Sequence, residues 1–147
     1  MTVRFYLVRH GRAEARHPQG DAARRLLPEG RTAFAAHARA VASELGLVRI
    51  LTSRFARAKE TAALLGEATG APVEEEDALA SGVSDAKALL RLGRRLGAGA
   101  ALVGHNPELA EAIRLAAGRD VDAPPGSVAA IDADEHGFRL AWLRAPG

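Results

Sequence analysis

One pattern narrows the possible folds more than any other: short apolar runs alternate with alanine-rich stretches of helical period. Val3–Val8 alternates in polarity and reads as a first strand. Residues Gly11 to Gly30 are irregular and polar, broken by Pro18, Gly20 and Pro28, and read as a long loop of the kind that is often functional. From Arg31 to Leu45, Phe34, Ala38, Val41, Ala42 and Leu45 fall at helical spacing, with Gly46 as the stop. Val48–Thr52 is a second strand, and Phe55–Ala68 a second helix. Ala71–Glu75 fits a short edge strand, and Asp85–Leu96 a third helix capped by Ser84 or Asp85. Ala100–Val103 is a buried strand, and Pro107–Ala117 a fourth helix, with proline favourable in its first turn. Ser127–Ile131 and Phe138–Leu143 form a hairpin around Asp134–Gly137. This order predicts a three-layer α/β/α fold with a mainly parallel sheet and a C-terminal antiparallel hairpin.

The 147 residues suit one domain, 1–147. Area scaling gives ~7,200 Å² accessible when folded against ~22,000 Å² unfolded, enough burial for a core without staples. Cysteine is absent, which excludes disulfides, thiolate nucleophiles and zinc ribbons. The N-terminal apolar run is short and carries charges, unlike a secretory leader, and no stretch is long enough for a membrane span. The expectation is a cytoplasmic chain with no membrane partner. A formal charge of +2 and 4% aromatics argue against a nucleic-acid partner. A monomer is the default for a chain of this size.

Ligands of open α/β sheets bind at the carboxyl ends of the strands. The first strand ends at Arg9, His10 and Gly11. The second delivers Ser53 and, one helical turn on, Arg57. The buried strand ends at Gly104, His105 and Asn106. Two arginines and two histidines without a carboxylate make a poor metal site but a good dianion site. A neutral histidine can attack phosphorus, and the helix opening at Pro107 favours an anion at its N-terminus. Gly11 would allow close backbone approach. Arg-His-Gly alone is a weak motif; the convergence of three strand ends is not. His17, His37 and His136 read as ordinary surface or helix histidines, and Glu74–Asp77 as a solvated face.

These residues form blocks that resemble the histidine phosphatase superfamily, also called phosphoglycerate-mutase-like. Arg9-His10-Gly11 is similar to its first block. Ser53-Arg-Phe-Ala-Arg57-Ala-Lys-Glu-Thr61-Ala62 is similar to its Ser-x-x-x-Arg-x-x-x-Thr-Ala block, and Val103–Pro107 to its second-histidine block. Within the superfamily the chain looks most like the small SixA-type phosphohistidine phosphatases, through its length, Asp21-x-x-Arg24-x-Leu26 and its terminal hairpin near Trp142. The resemblance implies that His10 carries the phosphoryl group, that Arg9, Arg57 and His105 line the phosphate pocket with Gly11 and Asn106, and that neither metal nor cofactor is needed. The implied partner is a phosphorylated protein histidine or a small phosphorylated substrate, with inorganic phosphate as product.

Two departures stand out. Arg54 replaces a frequent proline. Leu79-Ala80-Ser81 lacks the glutamate that mutases and phosphomonoesterases of the family use as a general acid. An alkoxide leaving group needs that proton, whereas a phosphohistidine nitrogen leaves more easily. The expected activity is therefore phosphohistidine hydrolysis, with a phosphomonoesterase of a small metabolite as the alternative and a non-catalytic phosphate-binding module as a further class. An acid for ester hydrolysis would have to come from Glu76, Asp77, Asp85 or His105. Whether Arg12, Arg24 or Arg25 touches substrate is open from sequence.

Overall fold

A computed structural model describes residues 1–147. In chain order the elements are β1 (Val3–Arg9), α1 (Pro28–Leu45), β2 (Arg49–Thr52), α2 (Ala56–Thr69), β3 (Val73–Glu75), α3 (Ala86–Leu96), β4 (Ala100–Gly104), α4 (Glu108–Ala117), β5 (Val128–Asp134) and β6 (Gly137–Arg144). They build one six-stranded sheet of order β3-β2-β4-β1-β5-β6. β3, β2, β4 and β1 run parallel, and β5 and β6 add the antiparallel pair. The mixed α/β class and the terminal hairpin are thus as the sequence predicts. The accessible surface is 7221 Å², in line with the scaling for this mass.

Successive side chains on a strand point to opposite faces, so a central strand must feed two cores. β1 does this with an uninterrupted buried run from Phe5 to Val8. Phe5 and Leu7 join Leu102 and Ile131 beneath α3 and α4, through Leu89, Leu92, Leu109 and Ile113. Tyr6 and Val8 join Ile50, Val103 and Val128 beneath α1 and α2, through Phe34, Val41, Ala62 and Leu65. Helices therefore cover both faces, which gives the three layers. The edges are blunted: β3 is exposed along its length and carries Glu74 and Glu75. At the other edge, the register of β5 against β6 shifts between Ala130 and Ile131. No helix is long and apolar enough to cross a membrane.

The boundary between the long loop and the first helix differs from the sequence reading, and β5 runs to Asp134 rather than Ile131. α1 begins at Pro28 rather than Arg31, because the fixed φ of proline suits a first helical position and needs no N–H there. The long loop accordingly ends sooner, and it is not featureless. It contains a 3₁₀ turn at Asp21–Ala23 and a bridge between Ala13 and Leu26.

The helix layers sit close to the sheet because small residues face it. At Gly93 of α3 an added Cβ would lie 2.1 Å from the Phe5 ring, which is itself wholly buried. Gly93→Ala should therefore overpack the core, costing about 2–3 kcal/mol. A thermal melt should show the midpoint falling by roughly 5–10 °C. An unchanged midpoint would mean that α3 can lift off the sheet at no cost.

Candidate active site

The carboxyl ends of β1, β2 and β4 meet at one point, and the backbone fixes them there. His10 N–H donates to the Gly104 carbonyl, and Ser53 N–H donates to that of Val103. The turn before β5 closes the fourth side: Gly126 N–H is shared by the Arg9 and His10 carbonyls, and Arg9 Nη1 donates to the Ala123 carbonyl at 3.0 Å. The His10 and His105 rings come to lie 5.3 Å apart, centroid to centroid. Arg57, from the first turn of α2, is buried, and its Nε–H donates to His10 Nε2 at 3.3 Å.

His10 is held in one orientation. Its Nδ1 lies 2.8 Å from the Gly11 carbonyl, an acceptor, so Nδ1 carries the proton and Nε2 presents the lone pair. Thr61 explains the spacing of the second block. Its hydroxyl donates to the Arg57 carbonyl one turn earlier at 2.8 Å, and accepts Gly11 N–H at 3.0 Å. One side chain thereby locks α2 to the loop that carries His10. Gly11 is not demanded by packing: a Cβ there would meet Leu26, Gly30 and Phe34 at ordinary distances of 3.4–3.7 Å. Asn106 turns its Oδ1 to Ala110 N–H at 3.1 Å, so that end of its side chain closes the first turn of α4.

Sequence reasoning places no carboxylate here, yet the structure brings one. The long loop folds back so that Asp21 accepts from Arg57 twice, through its carbonyl at 2.8 Å and its carboxylate at 3.1 Å. Arg24 holds the other carboxylate oxygen of Asp21 at 2.8 Å and also bonds the Glu14 carbonyl. The end of the Arg57 fork is thereby occupied by Asp21, while its Nε edge faces His10. The separation of 36 residues hides this contact; the weak signal was the Asp21-x-x-Arg24 spacing. Arg25 points elsewhere, to Glu60 at 3.1 Å, and Arg12 is exposed.

Two buried polar atoms have no partner within the protein: Arg9 Nε and His105 Nδ1. Burying an unpaired donor costs about 1–3 kcal/mol. Both belong to residues expected to grip a phosphoryl group, and for each a phosphoryl oxygen or water could be the missing partner. Burial, opposed in part by the Gly11 carbonyl, and then the charges of Arg57, Arg9 and Arg24 push the pKa of His10 down to about 4. Burial, then His10 and Arg57, push that of His105 down to about 3. Arg24 and Arg57 hold the Asp21 carboxyl below its usual range. At neutral pH both rings are uncharged and Asp21 is ionised.

Those depressed histidine values link to stability. The unfolded chain takes up these protons near pH 6.5, the folded chain only near pH 3–4. Stability is therefore full above about pH 6.5 and is lost as the pH falls below it. Between pH 7.5 and 5 the loss should reach up to ~2 kcal/mol per histidine. Urea midpoints at the two pH values check this. Equal midpoints would mean that both rings titrate normally.

Residues 5–81, more than half of the chain, match the model of the histidine phosphatase superfamily, branch 1. The chain belongs to the histidine phosphatase superfamily. It is a phosphatase, a hydrolase, on the SixA-like fold. Its structure is similar to a protein assigned as the phosphohistidine phosphatase SixA of Agrobacterium tumefaciens, with a TM-score of 0.84, 25% identity and 98% of each chain covered. It is also similar to a protein histidine phosphatase SixA complexed with tungstate, at TM-score 0.82 and 21% identity over 97% of each chain. A mycobacterial glucosyl-3-phosphoglycerate phosphatase complexed with VO3 shares the fold at TM-score 0.72 and 18% identity, with 97% of this chain and 99% of that one covered. Among curated proteins, none matches in sequence.

Proposed function

We propose that this histidine phosphatase removes the phosphoryl group from a phosphohistidine, by way of a covalent phospho-His10 intermediate. The observation that carries this reading is that no imidazolium and no protonated carboxyl stands beside His10 at neutral pH. His10 and His105 are neutral, and the nearby carboxylate, Asp21, is kept ionised by two guanidinium groups. Of the other candidates, Glu76 accepts Ala78 N–H, Asp85 accepts Ala88 N–H to cap α3, and Asp77 opens the 3₁₀ turn Asp77–Leu79. An alcohol phosphate needs an acid for its leaving oxygen. A phosphohistidine does not need one from the enzyme, because its ring can take a proton from solvent on the other nitrogen beforehand and then leave as a neutral imidazole.

In the first step the His10 Nε2 lone pair attacks phosphorus in line with the leaving nitrogen. The new P–N bond forms as the substrate P–N bond breaks, and its electron pair goes to the departing ring, which already carries a proton on its other nitrogen and leaves as neutral imidazole. The phosphorylated His10 ring then bears positive charge, which the Gly11 carbonyl steadies through Nδ1–H. In the second step water attacks phosphorus, the His10 P–N bond breaks, and inorganic phosphate leaves with the water oxygen. The equatorial oxygens would be held by Arg9, the Nε edge of Arg57 and His105, with Gly11 and Asn106 bordering the same pocket. Fixed guanidinium charges supply what a metal would otherwise supply, so we propose a metal-independent reaction.

The test compares phosphate release from a phosphohistidine peptide, an alkyl phosphate and an aryl phosphate in the same buffer. Strong preference for the peptide supports the proposal. Equal or faster release from the alkyl phosphate overturns it in favour of a metabolite phosphomonoesterase.

A further inference from the structure

Ser53 lies at the carboxyl end of β2 and is wholly buried. Its oxygen accepts Phe55 N–H at 3.1 Å and lies 2.8 Å from His105 Nε2. A hydroxyl has one proton to give, and His105 Nε2 is the acceptor that the structure places beside it. If instead Nε2 carried the proton and donated to Ser53, the serine proton would be buried with nothing to accept it, at a cost of about 1–3 kcal/mol. His105 Nδ1 would then present a bare lone pair, buried and equally unmatched.

We propose that Ser53 is a positioning residue that fixes His105 in its Nδ1–H tautomer, so that the neutral ring serves as a hydrogen-bond donor to a phosphoryl oxygen. This rests on the reading that His105 faces the phosphoryl group. The Phe55 ring, 5.0 Å from that of His105 and tilted by 60°, holds the imidazole from the side. The groups that bear on His105 are His10, Arg57, Arg24 and Asp21. Three of them are basic, so a donor that needs no added positive charge suits the place. The pairing divides the labour between the rings. His10 has its proton fixed on Nδ1 by a carbonyl so that Nε2 can attack, while His105 has its acceptor end filled by a hydroxyl so that Nδ1 can donate.

The experiment uses the whole chain labelled with ¹⁵N-histidine and long-range ¹H–¹⁵N correlation at neutral pH. The expected result is a His105 ring protonated at Nδ1 in the ligand-free protein, and still so with inorganic phosphate added. A ring protonated chiefly at Nε2 overturns the proposal. This reading needs neither a variant nor a substrate, so it stands or falls separately from the assignment of phosphohistidine. In Ser53→Ala, checked for folding by the same spectra, the two tautomers should mix, and the inhibition constant for inorganic phosphate should rise about tenfold. Unchanged tautomer and unchanged phosphate affinity in the folded variant would also overturn it.

Discussion

Replacing His10 by alanine leaves a protein that binds phosphate but does not turn over. If His10 is the covalent nucleophile, as proposed, its loss removes the reaction path itself, and the expected fall in kcat is on the order of 10⁴–10⁶-fold. The fold should survive, because His10 sits beyond the last residue of β1 and packs in neither core. The anion site should survive too: Arg9, Arg57 and His105 are held by Ala123, Asp21 and Ser53, not by His10 alone. Inorganic phosphate should therefore bind within about tenfold of the parent protein, a difference of ~1.4 kcal/mol. The measurement pairs single-turnover phosphate release with phosphate titration of the same preparation. Residual activity above about one part in a hundred would remove His10 from the chemistry, since nucleophile loss costs far more than that. It would favour instead direct attack by water on the bound phosphate.

The second large effect is one of substrate choice. General acid catalysis contributes typically ~10²–10⁴-fold, and on the proposed reading this site has no group to supply it at neutral pH. kcat/KM for a phosphohistidine peptide should accordingly exceed that for an alkyl phosphate by at least about 10²-fold. An aryl phosphate should fall between them, because a phenolate leaves without much help. The order of the three rates says more than any one of them: a graded series that follows leaving-group pKa marks a site without an acid. A flat series would mean that a proton is being delivered, and would point to His105 or a displaced Asp21. Lowering the pH does not rescue the esters through His10, because its pKa of about 4 keeps the ring a nucleophile well into mildly acidic solution.

Much of this site was legible in the sequence because its parts are local to strand ends. Arg9-His10, Ser53 and His105 each follow an apolar run, and an α/β sheet brings such ends together without further instruction. Arg57 was legible only through its distance of one helical turn from Ser53; its near-complete burial follows from α2 packing against the sheet. Asp21 was not legible as part of the site. Its contact depends on how an irregular loop folds back, and loop paths follow from particular hydrogen bonds, not from periodicity. Here Leu26 N–H and the Arg25 side chain donate to the Glu60 carboxylate, and Arg24 donates to the Glu14 carbonyl and the Asp21 carboxylate. The proton positions on the two histidines were hidden for the same reason, since each is decided by a neighbour on another segment or on the backbone. The helix start at Pro28 was misread by three residues because the loop composition runs on past the proline.

The place of β1 in the sheet has a consequence for biosynthesis. Tyr6 pairs with Ala101 on one side and Ala130 on the other, so the first strand made has neither neighbour until most of the chain exists. At ~5–20 residues per second, a ribosome needs roughly 5–25 s to supply them. During that interval the apolar run from Phe5 to Val8 has no sheet to join, and the nascent chain depends on holding it apart from other chains. Late closure around an early strand sets when this enzyme can first be active: not before β5 has left the ribosome.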